Sequence, residues 1–212
     1  MTEIQKRILT SIVLLIILYL SLLNKILLSI LLFFITFLMF LEIYNILKKI
    51  FVFKKAVNFI VLFFAFIYIT FFSVFIWVFL VFEKPNNQML FLLALSICIS
   101  TDIGGYIFGK LFKGKKLTSI SPNKTYSGMF GSYFLSFLTV IVFFNVHTFD
   151  VNFLLVVFII STLSQLGDLF ISYLKRKANL KDTGAFLPGH GGMLDRLDGI
   201  LIALPFGLIL LI

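Results

Sequence analysis

Long apolar runs, separated by short polar segments, follow one another along the whole chain. A helix that crosses a bilayer needs about 20 mainly apolar residues, and several runs approach or exceed that length. The predicted spans are Ile8–Leu23, Ile26–Leu47, Val57–Phe82, Met89–Phe112, Gly128–His147, Phe153–Leu174 and Gly199–Ile212. The first and last are short, and the third is long enough for one tilted helix or a tight hairpin. The pattern predicts an all-α fold, a polytopic transmembrane helix bundle with about seven spans.

The positions of the lysines and arginines favour one orientation of these spans. With the N-terminus in the cytoplasm and the third run kept as one helix, the cytoplasmic segments hold nearly all the basic residues. Only Lys25 and Lys84 then remain on the opposite side. Basic residues concentrate in cytoplasmic loops of membrane proteins. The charges therefore predict a cytoplasmic N-terminus and argue against splitting the third run.

Composition excludes an ordinary water-soluble domain. The 212 residues are 61% hydrophobic and only 13% charged, against about 45–50% and about 25% in soluble domains. The net charge is +9, which topology and anionic lipid headgroups explain better than nucleic acid does. We expect a lipid bilayer as partner and no nucleic acid. The single cysteine, Cys98, excludes an internal disulfide.

The chemical character changes near residue 89, although we expect one membrane domain over residues 1–212. Residues 1–88 are almost purely apolar and read as mainly hydrophobic scaffold, with Glu42 the only acid inside a predicted span. Residues 89–212 carry most of the acids and glycines. This half therefore holds the predicted chemistry, in cytoplasmic loops 113–127 and 175–198.

Acidic residues inside two predicted spans are candidates for a polar site. An ionisable group at membrane depth costs roughly 2.5–3.5 kcal/mol, so it needs a reason to be there. Asp102 lies late in the fourth span, beside Gly105 and Gly109, whose spacing allows close helix approach. The sixth span has a polar face, because its polar residues recur every three or four positions. They are Ser161, Ser164, Gln165, Asp168 and Ser172. Interfacial pairing of Asp102 and simple helix packing by the stripe remain alternatives.

The loop at 175–198 is the densest group of charges and glycines. Asp195 and Asp198 are three residues apart and would share one face of a helix. Paired carboxylates near basic residues suit Mg²⁺, which proteins hold by one or two carboxylates together with substrate phosphates. Nearby glycines leave backbone N–H groups accessible to phosphate oxygens, and His190 could donate to a phosphate or fix the loop. A solvated charged loop is the alternative.

The loop at 113–127 adds a second candidate phosphate site. Ser121, Lys124 and Thr125 come just before the fifth span, and a helix N-terminus with hydroxyls and a lysine suits an anion. The spacing is not that of a P-loop.

The 27 residues from Ser172 to Asp198 resemble the full signature of the phosphatidate cytidylyltransferases, also called CDP-diacylglycerol synthases. They read Ser-x-Leu-Lys-Arg-x4-Lys-Asp-x-Gly-x-Phe-Leu-Pro-x-His-Gly-Gly-Met-x-Asp-Arg-Leu-Asp. The Ser121-Pro-x-Lys-Thr loop and the Asp102 segment are also similar to that family. One departure is Tyr126-Ser127-Gly128 where the family has Trp-Glu-Gly, so an aromatic is kept and an acid is lost. The resemblance covers roughly residues 95–200.

The resemblance implies that CTP and phosphatidate react to CDP-diacylglycerol and pyrophosphate, with Mg²⁺ as cofactor. It implies metal ligation by Asp168 and Asp195, with Asp198 and Asp102 supporting the metal or holding a second cation. It also implies two further groups of residues that contact the substrates or the product pyrophosphate. Substrate contacts are expected from Ser121, Lys124, Thr125, Ser172, Asp182, Gly191 and Gly192. Stabilisation of nucleotide phosphates or pyrophosphate is expected from Lys175, Arg176, Lys181, His190 and Arg196.

The same resemblance implies a location and partners. We expect a multi-pass protein of the bacterial inner membrane, with its site facing the cytoplasm, and a homodimer. One alternative is a CTP-dependent enzyme acting on an isoprenoid-ether phosphatidate or a polyprenol. A transporter or channel is the non-enzyme alternative, since intramembrane acids also suit an ion path, although no inverted repeat is visible.

Overall fold

The computed structural model describes residues 3–82, 86–118, 121, 124–144, 151–187, 189 and 191–212. Within these ranges the regular structure is helical, apart from two isolated β-bridges. The helices are α1 (Glu3–Leu23), α2 (Lys25–Ile50), α3 (Lys55–Val81), α4 (Asn87–Phe112), α5 (Tyr126–Phe144), α6 (Val151–Lys177) and α7 (Leu194–Leu211). Each corresponds to one of the predicted spans, so the predicted fold class is confirmed.

The helices have the length and surface of a membrane protein. Among the described residues, four helices are long and apolar enough to cross a bilayer, namely α2, α3, α4 and α6. Large apolar side chains remain exposed on them: Phe59 is 73% exposed and Phe33 69%. Lipid tolerates such a surface, whereas water would drive it into a core.

The long third run forms one continuous helix, as the lysine distribution predicted. α3 extends from Lys55 to Val81 without a break.

Asn24 directly precedes α2 and caps its start. Its side-chain oxygen accepts hydrogen bonds from the N–H groups of Ile26 and Leu27, at 2.8 and 3.3 Å. Asparagine caps helices in this way because the first amides have no partner inside the helix.

The chain divides into two compact units. The first unit contains Met1–Lys84 and Leu174–Leu197, and the second contains Pro85–Tyr173 and Asp198–Ile212. In the first unit α1 packs on α2 and α2 packs on α3. Met39, Ile46 and Ile69 are fully buried there.

In the second unit α4 and α5 pack very closely, and glycines make this approach possible. A Cβ added to Gly104 would lie 2.9 Å from the carbonyl carbon of Gly131 and 3.0 Å from Leu135 Cβ. A Cβ on Gly128 would lie 2.8 Å from the Gly105 carbonyl oxygen. The small-residue spacing in the fourth span therefore does bring a neighbouring helix into backbone contact.

The last helix begins earlier than its hydrophobic pattern predicts. The apolar run starts at Gly199, whereas α7 starts at Leu194 and includes Asp195 in its first turn. An acidic residue stabilises a helix N-terminus through the helix dipole. The polar loop residues therefore extend the helix beyond its apolar run.

Replacing Gly104 by alanine tests the close contact between α4 and α5. Alanine favours a helix over glycine by about 1 kcal/mol, but the new methyl group would meet backbone that cannot move easily, and overpacking costs about 1–3 kcal/mol. We expect Gly104→Ala to lower the thermal unfolding temperature of the detergent-solubilised protein. Gly109→Ala is the control. The nearest atom to its new methyl group would be the side-chain hydroxyl of Thr125 at 3.2 Å rather than backbone, so the unfolding temperature should fall less. A Gly104→Ala protein as stable as wild type contradicts the prediction.

Candidate active site

A tight return in the α4–α5 loop positions Lys124. Lys113, the residue that follows α4, has a left-handed backbone with φ of 45°. The chain then pairs with itself: Leu117 N–H donates to the Lys124 carbonyl at 2.7 Å, and Tyr126 N–H donates to the Lys115 carbonyl at 3.1 Å. Lys124 N–H also donates to the Ser121 carbonyl at 3.0 Å. These backbone bonds fix Ser121 and Lys124 just before α5.

The second unit contains a cavity of about 320 Å³ at this loop. It brings together residues from α4, α5, α6 and the α4–α5 loop that the sequence assigned separately. The predicted site residues that line it are Asp102, Ser121, Lys124, Thr125, Asp168 and Ser172. Gln165 of the α6 stripe also lines it, as do apolar side chains that include Leu117, Met129 and Leu169. The cavity therefore has both polar and apolar surfaces.

Lys124 and Asp168 both line this cavity and form an ion pair. Their side chains keep 23% and 30% of their exposure, so both charged groups remain accessible to a ligand. Ser172 Oγ donates to Asp168 Oδ1 at 3.3 Å, as expected for two residues four apart on one helix face. Of the predicted α6 stripe, Gln165, Asp168 and Ser172 line the cavity, whereas Ser161 and Ser164 are fully buried.

Thr125 has a local role beside its place in the cavity. Its hydroxyl oxygen accepts a hydrogen bond from Gly128 N–H at 3.1 Å, which caps the start of α5. It also lies 2.9 Å from Ser127 Oγ. The Thr125 hydroxyl of the second candidate phosphate site is thus fixed at the N-terminus of α5.

A second polar centre forms around Asp195 in the first unit. Lys175 Nζ donates to Asp195 Oδ1 at 2.7 Å. Asp195 Oδ2 accepts from Thr183 N–H at 2.8 Å, from Gly192 N–H at 3.1 Å and from the Thr183 hydroxyl at 3.0 Å. Burial disfavours the charged carboxylate, but these hydrogen bonds and the Lys175 charge outweigh burial and lower the pKa of Asp195 below its ordinary value.

Sequence reasoning missed Glu42, which contacts the same loop. The Glu42 carboxylate is fully buried and accepts hydrogen bonds from Thr183, Met193 and Leu194. One feature of the sequence could have pointed to Glu42: it is the only acidic residue within the predicted spans of residues 1–88. An acid in an apolar helix needs buried partners, but the sequence does not say which.

The remaining predicted residues have different surroundings. Asp198 is buried in the second unit, at 8% exposure, and its Oδ1 accepts from Gly199 N–H at 2.8 Å. Gly191 has φ of 81°, a conformation that favours glycine. The exposed members of the set are Arg176, Lys181, Asp182 and Arg196. His190 lies outside the described residues.

A comparison with protein families identifies the chain. The model of the cytidylyltransferase family matches residues 3–212. The chain belongs to the cytidylyltransferase family. The match confirms the family that the Ser172–Asp198 signature indicated.

Curated relatives of this cytidylyltransferase-family chain carry a more specific name. A phosphatidate cytidylyltransferase of Staphylococcus epidermidis is 46% identical over 125 residues, which are 57% of this chain and 48% of the relative. One from Rickettsia typhi is 39% identical over 132 residues, 58% of each chain. One from Staphylococcus haemolyticus is 47% identical over 116 residues, which are 53% of this chain and 45% of the relative. The chain thus spans about half the length of the curated relatives it matches.

The donor set of the second-unit cavity fits a hard cation. Asp102 and Asp168 both line it, beside hydroxyl oxygens, and Mg²⁺ takes oxygen ligands. Within the described ranges, no three acidic, histidine or cysteine side chains cluster closely enough to form a metal site by themselves. Proteins often hold Mg²⁺ by one or two carboxylates, with substrate oxygens completing its coordination. Metal ligation by Asp168, Asp195 and Asp198 together stays a prediction.

Replacing Asp195 by asparagine tests the charge of the second polar centre. Because its pKa is lowered, Asp195 stabilises the fold at neutral pH, and this contribution disappears as pH falls through the lowered pKa. We expect Asp195→Asn to cost about 1.5–3 kcal/mol of unfolding free energy at neutral pH. The difference from wild type should narrow only below the ordinary carboxyl pKa of about 3.9.

The measurement is thermal unfolding of the solubilised protein as a function of pH. Asp182→Asn, an exposed carboxylate of the same loop, is the control and should change stability by less than about 0.5 kcal/mol. A loss in Asp195→Asn that fades well above the ordinary carboxyl range contradicts the pKa direction.

Proposed function

We propose that this chain carries out cytidylyl transfer from CTP to phosphatidate, giving CDP-diacylglycerol and pyrophosphate. The observation that carries the proposal is the second-unit cavity, where Lys124 pairs with Asp168 and where Asp102 and several hydroxyl side chains also line the wall. Family membership and the names of the relatives support the same reaction.

The cavity suits an amphipathic phosphate compound. Lys124 and the hydroxyls of Ser121 and Thr125 supply donors for phosphate oxygens, and the apolar side chains of Leu117, Met129 and Leu169 line part of the wall. Phosphatidate has this composition, with an anionic headgroup attached to acyl chains. A fully polar nucleotide site would not need the apolar wall.

The reaction requires charge neutralisation more than proton transfer. An oxygen of the phosphatidate phosphate attacks the α-phosphorus of CTP, and the bond from that phosphorus to the departing pyrophosphate oxygen breaks. The attacking oxygen is already anionic near neutral pH, so no strong general base is needed. Catalysis then depends on holding several negative groups in line.

The Lys124–Asp168 pair provides both kinds of charge that this task needs. Lys124 would bind and orient a substrate phosphate. Asp168, with Asp102 beside it, would hold Mg²⁺, which neutralises developing phosphate charge when it is bound. The two side chains satisfy each other in the structure, so neither charge is left buried and unpaired before ligands arrive.

The other basic residues extend this hypothesis. Lys175 would bind phosphate oxygens of the nucleotide or of pyrophosphate, as would the exposed Arg176, Lys181 and Arg196. Ligation of the cation by Asp195 and Asp198 as well rests on the family resemblance. The site would face the cytoplasm, because CTP is water-soluble and the lysine distribution favours that side. We also propose the bacterial inner membrane and a homodimer.

The decisive experiment uses the purified chain with CTP, phosphatidate and Mg²⁺. We expect release of pyrophosphate together with CDP-diacylglycerol, and no turnover when a chelator removes the metal. A panel with isoprenoid-ether phosphatidate and polyprenol tests the alternative substrates. Ion flux in liposomes without nucleotide turnover would refute the proposal.

Asp168→Asn tests the role of the cavity carboxylate. Losing the charge removes the partner of Lys124 and the proposed cation ligand, so turnover should fall by at least about 100-fold. Thr162→Val is the matched control: Thr162 lies on the same helix and contacts Tyr133 OH at 3.0 Å, away from the cavity lining. An Asp168→Asn protein with wild-type turnover contradicts the assignment.

A further inference from the structure

The buried Glu42 carboxylate connects α2 to the loop that holds Asp195. It accepts hydrogen bonds from Met193 N–H at 2.8 Å, from Leu194 N–H at 2.8 Å and from the Thr183 hydroxyl at 2.6 Å. Its side chain is 0% exposed. A carboxylate without such donors would be strongly unfavourable at this depth, so the loop conformation and the burial of Glu42 require each other.

Two of the three donors lie at the start of α7. Leu194 is the first residue of α7 and Met193 directly precedes it, and N–H groups at a helix start have no carbonyl partner inside the helix. Glu42 therefore caps α7 from a distant part of the chain. The positive end of the helix dipole also favours an anion there.

The third donor links Glu42 directly to Asp195. Thr183 Oγ lies 2.6 Å from Glu42 Oε2 and 3.0 Å from Asp195 Oδ2. A threonine hydroxyl has one proton, so the two carboxylates share this donor. Thr183 N–H also donates to Asp195, which makes Thr183 the bridge between the buried acid and the site acid.

Glycines make room for this arrangement. A Cβ on Gly192 would lie 2.7 Å from Glu42 Oε1, and one on Gly184 would lie 2.8 Å from the same oxygen. Any larger residue would push the loop away from the carboxylate. The glycines of the signature segment thus leave space for an acid that lies far from them in the sequence.

We propose that Glu42 is a positioning residue that fixes the loop at Thr183 and at Met193–Leu194 and, through Thr183, sets the orientation of Asp195. It belongs to the part of the chain that its sequence pattern assigns to scaffold. Its link to turnover rests on the proposed function, whereas its effect on the loop does not.

Glu42→Gln is the most direct test, because glutamine has the same shape but one acceptor oxygen and a donor NH₂ group. The NH₂ group would face an N–H or O–H donor, so at least one of the three hydrogen bonds is lost. We expect amide hydrogen exchange in the peptide containing Met193 and Leu194 to become at least about tenfold faster. Exchange in the α3 segment 69–80 should stay unchanged.

Thr36→Val is the matched control. Thr36 lies on the same helix and in the same unit, and its hydroxyl bonds to the Leu32 carbonyl at 2.7 Å and to Ser73 Oγ at 2.5 Å, so valine removes part-buried hydrogen bonds without touching the loop. Glu42→Gln should accelerate exchange at the loop, and Thr36→Val should not. Equal effects of the two variants on the loop, or none from Glu42→Gln, would overturn the proposal.

A threonine pair keeps the test decisive if Glu42→Gln does not fold. Thr183→Ser retains the bridging hydroxyl and should behave as wild type in loop exchange. Thr183→Val removes it and should accelerate exchange at the loop. Equal loop exchange in the serine and valine variants would overturn the bridge.

Turnover measurements separate this inference from the proposed function. If the wild-type chain turns over CTP and phosphatidate, Glu42→Gln and Thr183→Val should lower kcat by about tenfold or more per folded molecule, while Thr36→Val keeps it. If folded Glu42→Gln protein kept full kcat, Glu42 would not position the site. If the wild type has no turnover, the proposed function fails, and the exchange data still decide whether Glu42 holds the loop.

Discussion

The structure depends on one constraint: a charged group in an apolar, lipid-facing chain must find partners within the protein. Three acids of the chain satisfy it differently. Asp168 pairs with Lys124, Asp195 pairs with Lys175 and accepts backbone amides, and Glu42 accepts amides and a hydroxyl. Because an unpaired buried charge costs several kcal/mol, these pairings determine where the loops lie.

The pairings also suit the proposed chemistry. Cytidylyl transfer brings anionic phosphates together, and a site for it needs cations for the phosphates and carboxylates for a metal. Before ligands bind, the same groups must not stay unpaired. The Lys124–Asp168 pair meets both demands, since each group satisfies the other yet keeps part of its exposure.

Helix packing supports the site through small residues. Glycines of α4 and α5 let the backbones approach, so that Asp102 on α4 and the residues at the start of α5 border one cavity. Gly184 and Gly192 similarly leave room for the Glu42 carboxylate. In both places the glycine matters because a Cβ would occupy the space that a backbone or a carboxylate fills.

The sequence by itself determined the helices, because long apolar runs are visible in it directly. It also determined which residues share the face of α6 that carries Asp168, because helical spacing fixes which residues align. Its signature segment also indicated the family. Only the tertiary structure decided which charges pair and how the loops are held. Glu42 shows why: its partners lie about 140 to 150 positions away, and hydrogen bonds at such separation depend on packing, which local pattern does not encode. The early start of α7 has the same origin, since its first amides find their acceptor on α2.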